Sequence, residues 1–176
     1  DRRQRQMCIR DSPETDFMVS KSVHRYLEEL TQLFAESGID GSDAEWLISL
    51  KTGIPRSELA ASGEMLVPSK VRELDALAGA RLSGKPLWYV IGDTEFYGCR
   101  IKVDGRVLIP RPETELLAER AVREAKEGSR ILDMCTGSGC IAVSVAKNAA
   151  GKHVRVIAAD NSVPALEVAR ENAVLN

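Results

Sequence analysis

Two carboxylates and a glycine loop are the residues best placed to do chemistry. Asp133 closes a short apolar run, Ile131-Leu132, and is followed by Cys135-Thr136-Gly137-Ser138-Gly139. Asp160 closes a second, β-branched run, Val154-Arg155-Val156-Ile157, by way of Ala158-Ala159. An apolar periodic segment, Ile141 to Ala149, lies between them. Strand, glycine turn, helix and strand make a βαβ unit, and a helical crossover makes its strands parallel. Gly137 and Gly139 lack a Cβ, so the chain can turn sharply there and come close to a ligand. A helix starting near Cys140 aims its free N–H groups and positive dipole end into the same space. Asp160 falls at the carboxyl end of the second strand, where open α/β sheets bind ligands. A carboxylate there can accept two hydrogen bonds from a ribose diol. The stretch implies an adenosine-containing cofactor, bound by Cys135, Thr136, Gly137, Ser138, Gly139 and Asp160.

Gly-Ser-Gly-Cys-Ile-Ala also satisfies the dinucleotide pattern G-x-G-x-x-G/A, with an acid about 20 residues on. Alone that pattern is weak, and a tight strand-to-helix turn with no ligand would produce it too. Asp133 separates the cofactor readings. A dinucleotide brings a pyrophosphate to this turn, and an acid at the strand tip would repel it. A sulfonium cofactor carries positive charge and an amino-acid tail, which tolerate the acid. D-x-x-T-G-S-G therefore favours S-adenosylmethionine over NAD. No G-x-x-x-x-G-K-[ST] is present, so nothing supports a P-loop.

Asp133 to Gly139 resembles motif I of class I methyltransferases. Upstream, Gly92-Asp93-Thr94-Glu95-Phe96-Tyr97-Gly98 and Val107-Leu108-Ile109-Pro110-Arg111-Pro112-Glu113-Thr114-Glu115 resemble the HemK/PrmC family, from about Val23 to Asn176. The resemblance implies S-adenosylmethionine-dependent methylation of the side-chain amide of the glutamine in the GGQ loop of peptide chain release factors. It implies a protein partner, a cytoplasmic setting, a helical domain that helps engage that partner, and Phe96 and the Pro-Arg-Pro loop beside the cofactor. The family's Asn-Pro-Pro-Tyr motif, which holds the acceptor amide, is absent from these 176 residues. No catalytic residue is therefore assigned, and the chain reads as the N-terminal part of an enzyme.

The elements that must position these residues follow from composition and periodicity. Hydrophobic residues are 44% and charged residues 28%, as in ordinary globular proteins. A net charge of −2 offers no basic surplus for direct nucleic-acid binding. No apolar run reaches membrane-spanning length. Cys8, Cys99, Cys135 and Cys140 have no Cys-x-x-Cys spacing and only His24 and His153 beside them, which argues against zinc and for free thiols. Asp1 to Ser12 is charged, without a sustained period or a signal-peptide core. It reads as foreign leader, with Met18 as the native start.

From Ser22 to about Ser83 the pattern is helical. Val23, Tyr26, Leu27, Leu30, Leu33 and Phe34 recur at three- and four-residue steps, and Gly38 caps them. Ser42-Asp43 opens a second helix with Trp46, Leu47 and Leu50 on one face, stopped near Gly53. Pro55 and Pro68 begin a third and a fourth. Ser83-Gly84-Lys85-Pro86 reads as a linker. Leu87 to Ile91, Thr94 to Tyr97 and Arg100 to Val103 read as strands, with a turn at Gly98-Cys99. Pro112 opens a helix whose Glu119/Arg123, Arg120/Glu124 and Arg123/Glu127 pairs face solvent. Ser162 caps the last helix. Ile131-Leu132 and Val154 to Ala158 are apolar enough to be buried on both faces.

The expected fold is α/β: a leader (1–17), an N-terminal helical bundle (18–83), a linker and β-hairpin (84–107), and the first part of a Rossmann-like, S-adenosylmethionine-binding methyltransferase domain (108–176), truncated after Asn176. The alternatives are an amino-methyltransferase acting on another protein or on nucleic acid, an NAD-dependent Rossmann oxidoreductase, and a release-factor-binding module made of residues 22–83. The oligomeric state stays open.

Overall fold

A computed structural model describes residues 20–176, so the leader and the start at Met18 lie outside the described residues. Strand β1 (Lys21–Ser22) runs antiparallel to β2 (Met65–Leu66) and leads into helix α1 (Val23–Glu36). The Ser22 hydroxyl accepts from the Arg25 N–H at 3.3 Å, satisfying a donor that the helix leaves free. Gly38, at φ 72°, ends the helix as its spacing predicts. Helix α2 (Ser42–Thr52) stops at Gly53, φ 80°; a 3-10 turn follows at Arg56–Ala61, then α3 (Pro68–Leu82).

Val23, Phe34, Ala44, Leu47, Ile48, Leu59 and Leu74 are fully buried in one shared core. Leu50 departs from the expectation and is 46% exposed. At about 100° per residue the buried line of α2 runs through Ala44, Leu47 and Ile48, which leaves Trp46 and Leu50 on its flank. Trp46 instead meets Trp88 at 5.5 Å between ring centroids, and Arg56 stacks over it at 4.3 Å. The Arg81–Asp43 ion pair, 2.7 Å, ties α3 to α2.

Leu87–Ile91 is not a strand but a single helical turn, α4. Pro86 enters it extended at ψ 140°, and Gly92 ends it at φ 96°. The Tyr89 and Val90 N–H groups donate to the Pro86 carbonyl at 3.0 and 3.1 Å. Leu87, Val90 and Ile91 thereby fall at helical spacing against the bundle core. Five apolar residues between a proline and a glycine fit either period, and packing decides.

Strands β3 (Asp93–Phe96) and β4 (Cys99–Lys102) form the expected hairpin, but its turn is one residue earlier, at Tyr97-Gly98. Both turn residues are left-handed, φ 45° and 72°, as a tight hairpin turn requires. Cys99 belongs to the strand because Phe96, Cys99, Ile101 and Val103 all point inward.

Past a 3-10 turn at Pro112–Thr114 come α5 (Glu115–Glu124), β5 (Arg130–Met134), α6 (Cys140–Asn148), β6 (Arg155–Ala159) and α7 (Val163–Leu175). Of the three exposed pairs expected near α5, Arg120–Glu124 forms; Glu127 lies beyond the end of the helix. β5 and β6 are parallel, with Leu132 opposite Ile157 and Met134 opposite Ala159. The architecture is α/β. The strands are not buried on both faces. Leu132 (57%), Met134 (65%) and Ile157 (42%) alternate onto an exposed side, opposite the one that α6 covers on both strands. The second core joins hairpin to helices: Phe96, Ile101, Val103, Ala118, Val143 and Val168.

Candidate functional site

The tip of β5 is braced from within. One oxygen of Asp133 accepts from the Thr136 hydroxyl at 2.6 Å and from the Ala142 N–H at 3.2 Å. Ala142 lies in the first turn of α6, whose cap, Gly139, has no side chain to offer. The carboxylate therefore caps the helix from the preceding strand, where its charge also suits the positive helix end. The loop then leans on β6: the Thr136 N–H donates to the Ala159 carbonyl at 2.9 Å. Asp160 holds the loop with one oxygen, accepting from the Gly137 N–H at 2.8 Å, and begins α7 with the other, accepting from Ser162 at 2.9 Å. The N–H of Ser162, then those of Gly137 and Asn161, keep its carboxyl below the usual carboxylate range. It is an anion at neutral pH, with lone pairs left for a further donor.

The two glycines do different work. A Cβ on Gly137 (φ 53°) would meet nothing within 4 Å. A Cβ on Gly139 (φ 77°) would lie 3.0 Å from the Ala169 Cβ and 3.1 Å from its Cα. Gly139 is small so that α7 can pack on it; Gly137 faces open space. Cys135 is also left-handed, φ 61°, and exposed. Cys140, at the start of α6, is buried, which pushes its thiol up in pKa.

Residues 25–92 match the family model of the PrmC N-terminal domain, and residues 112–176 that of the methyltransferase small domain. The release factor glutamine methyltransferase of Chlorobaculum tepidum is 42% identical over 164 residues, covering 86% of this chain and 54% of the relative. That of Neisseria gonorrhoeae is 43% identical over 132 residues, 74% of this chain and 48% of the relative. That of Thermodesulfovibrio yellowstonii is 35% identical over 154 residues, 85% and 54%. Over most of its length the chain resembles the release factor glutamine methyltransferases, with a match to the PrmC N-terminal domain in its first half. It spans about half the length of the curated relatives it matches.

The structure places the six residues singled out from sequence as follows. Cys135 to Gly139 form one continuous loop, and Asp160 touches it. Thr136 and Ser138 are turned inward and buried, at 6% and 3% exposure. The surface left for a ligand is Cys135, Gly137 and Asp160. Pro110-Arg111-Pro112 lines a different cleft, with Arg81, Trp88, Glu95 and Phe96, and the glycine loop is not among its walls. Phe96 itself is 1% exposed, a core ring whose carbonyl accepts from Ser144 at 3.3 Å.

Asp133, singled out for its charge at the strand tip, also braces the loop from inside through one oxygen. Asn172 was not singled out at all, yet it is fully buried and hydrogen-bonded to Ser138. Its signal was present: Val168, Ala169 and Asn172 share one helix face, and a lone amide on an apolar face needs partners.

Proposed function

We propose that this protein transfers a methyl group from S-adenosylmethionine to the side-chain amide nitrogen of the glutamine in the GGQ motif of peptide chain release factors. In this reading residues 18–83 engage the release factor, 84–107 connect, and 108–176 contribute the cofactor end of a Rossmann-like methyltransferase domain. The substrate follows from the relatives, whose names state release factor glutamine methylation. A release factor as substrate places the reaction in the cytoplasm. Among the described residues no helix is long and apolar enough to cross a membrane.

One observation carries the choice of cofactor. The loop N–H groups of Thr136, Gly137 and Gly139 are spent on the Ala159 carbonyl, Asp160 and the Thr136 carbonyl, at 2.8–2.9 Å. A pyrophosphate would want those donors, which are already taken within the protein. A ribose diol wants an acceptor, which Asp160 supplies, and open space over a glycine, which Gly137 supplies. Residues and group fit. When bound, S-adenosylmethionine provides an electrophilic methyl on a sulfonium. The chain's part is to hold and orient: Asp160 fixes the ribose, Gly137 lets the backbone come close, and Asp133 keeps the loop rigid through Thr136 and Ala142. A glutamine amide nitrogen is a poor nucleophile because its lone pair is delocalised into the carbonyl. Positioning it in line is the larger part of the task, and the resemblance gives that part to an Asn-Pro-Pro-Tyr motif outside these residues.

Calorimetric titration of the protein with S-adenosylhomocysteine and with NAD tests the reading. Binding of the first alone is expected, and it should weaken in Asp160→Ala. Binding of NAD alone, or an unchanged affinity in Asp160→Ala, would refute it.

A further inference from the structure

We infer that Asn172 is a positioning residue that locks the glycine loop to the β-hairpin through its side-chain amide. The inference rests on the reading that this loop holds the cofactor. Asn172 makes three hydrogen bonds, using both amide hydrogens and one lone pair of its oxygen. Its Oδ1 accepts from the Lys102 N–H at 2.7 Å, and its Nδ2 donates to the Lys102 carbonyl at 3.0 Å and to the Ser138 carbonyl at 2.8 Å. The partners fix the orientation of the amide: one backbone donor faces the oxygen and two carbonyls face the nitrogen.

Asn176 makes the matching pair one turn later. Its Oδ1 accepts from the Arg100 N–H at 3.1 Å, and its Nδ2 donates to the Arg100 carbonyl at 2.8 Å. Four helical residues rise about 6 Å, and two strand residues span about 6.6 Å. Asparagines four apart, one on α7 and one at its C-cap, therefore meet residues two apart on β4, where the backbone points away from β3. Two side-chain amides stand in for a neighbouring strand and cover the outer edge of the hairpin.

The two asparagines differ in their third bond. That of Asn176 stays within its own helix, on the Asn172 carbonyl at 3.0 Å. That of Asn172 leaves the helix for Ser138, which is buried between the ligand-facing Gly137 and the helix-facing Gly139. Helix α7 thus grips the loop twice, with Ala169 against Gly139 and Asn172 on the Ser138 carbonyl. A loop with two left-handed glycines has much freedom to lose on binding, and ordering it beforehand lowers the cost of binding. Removing the amide also leaves the Ser138 carbonyl buried and unpaired.

Asn176 is a natural control, because it binds the same strand in the same way without touching the loop. Asn172→Ala and Asn176→Ala are compared for S-adenosylhomocysteine affinity and for residue-resolved amide exchange without ligand. Asn172→Ser serves as the milder truncation should Asn172→Ala fail to fold. Either Asn172 variant is expected to lose at least about tenfold in affinity and to exchange faster at Gly137 and Gly139 as well as at Lys102. Asn176→Ala is expected to exchange faster at Arg100 alone and to keep its affinity within about twofold. Equal loop exchange in the Asn172 and Asn176 variants would overturn the inference, as would faster exchange spread evenly over the second core. If the unaltered protein binds no S-adenosylhomocysteine, the cofactor reading falls, and loop exchange still decides the role of Asn172.

Discussion

The helical bundle and the strand–loop unit are held together in different ways. Both are rich in apolar residues. In the bundle, Phe34, Leu47, Ile48, Leu59 and Leu74 are fully buried, and the helices that cover them are neighbours in sequence. In the strand–loop unit, Leu132, Met134 and Ile157 are exposed together on one side of the strands. A helix needs only its apolar stripe covered, and the next helix in the chain can do that. A parallel sheet presents two apolar faces, and the helix of one crossover covers one of them. The candidate site sits on the less covered unit, and polar braces hold it there: Asp133 on Thr136, Asp160 on Gly137, Asn172 on Ser138. Apolar packing supplies the rigidity of the bundle, and directed hydrogen bonds supply that of the loop.

The contrast can be broken at its strongest point first. Phe34→Ala should destabilise the bundle by about 3–5 kcal/mol, a typical cost for emptying an aromatic core site. Amide exchange should quicken across 23–91 and stay unchanged across 130–160. Equal loss of protection in both regions would show a single cooperative unit. Gly139→Ala reverses the pattern. A left-handed φ of 77° and a contact of 3.1 Å with the Ala169 Cα should together cost about 2–4 kcal/mol. Denaturant melts followed in each region should place that loss in the strand–loop unit and leave the bundle intact.

Gly137→Ala sharpens the difference between the two glycines. With φ 53° but nothing within 4 Å, it should cost only about 1–2 kcal/mol of local stability. Its methyl projects into the open space, so S-adenosylhomocysteine affinity should fall by more than stability does. A large loss of stability at normal affinity would make Gly137 a structural turn. The smallest expected effect is on pH response. The Asp160 carboxyl is held below its unfolded value, so its contribution is fully present above the ordinary carboxylate pKa of about 3.9. It is lost as pH falls through the lower folded value. The Gly137 and Ser162 amide resonances should therefore shift together, at a pH below the ordinary carboxylate range. A shift within that range would detach Asp160 from the loop.

Much of this was legible in local signals. Ser22, Gly53 and Pro68 mark helix ends through their own backbone and side-chain preferences, which act within one turn and survive any packing. The parallel pair β5–β6 followed from the helical crossover. Leu87–Ile91 is not legible as a helix because a five-residue apolar run carries no period, and the choice falls to the bundle core it packs against. The hairpin turn moved to Tyr97-Gly98 because inward packing of Cys99 outweighs the preference against a left-handed tyrosine.

By itself the sequence determined the order strand, glycine loop, helix, strand and acid, the resemblance carried by that order and by Pro110-Arg111-Pro112, and the helical character of 22–83. All of these depend on residues within a few positions of each other, where spacing and residue type are the physics. Only the tertiary structure decided that Gly137 faces space while Gly139 faces Ala169, and that Asp133 turns inward as a brace. It alone decided that Asn172 reaches Ser138, 34 residues away in sequence, and Lys102, 70 away. Such contacts are set by how α7 lies across the loop and the hairpin, and no local pattern encodes that distance.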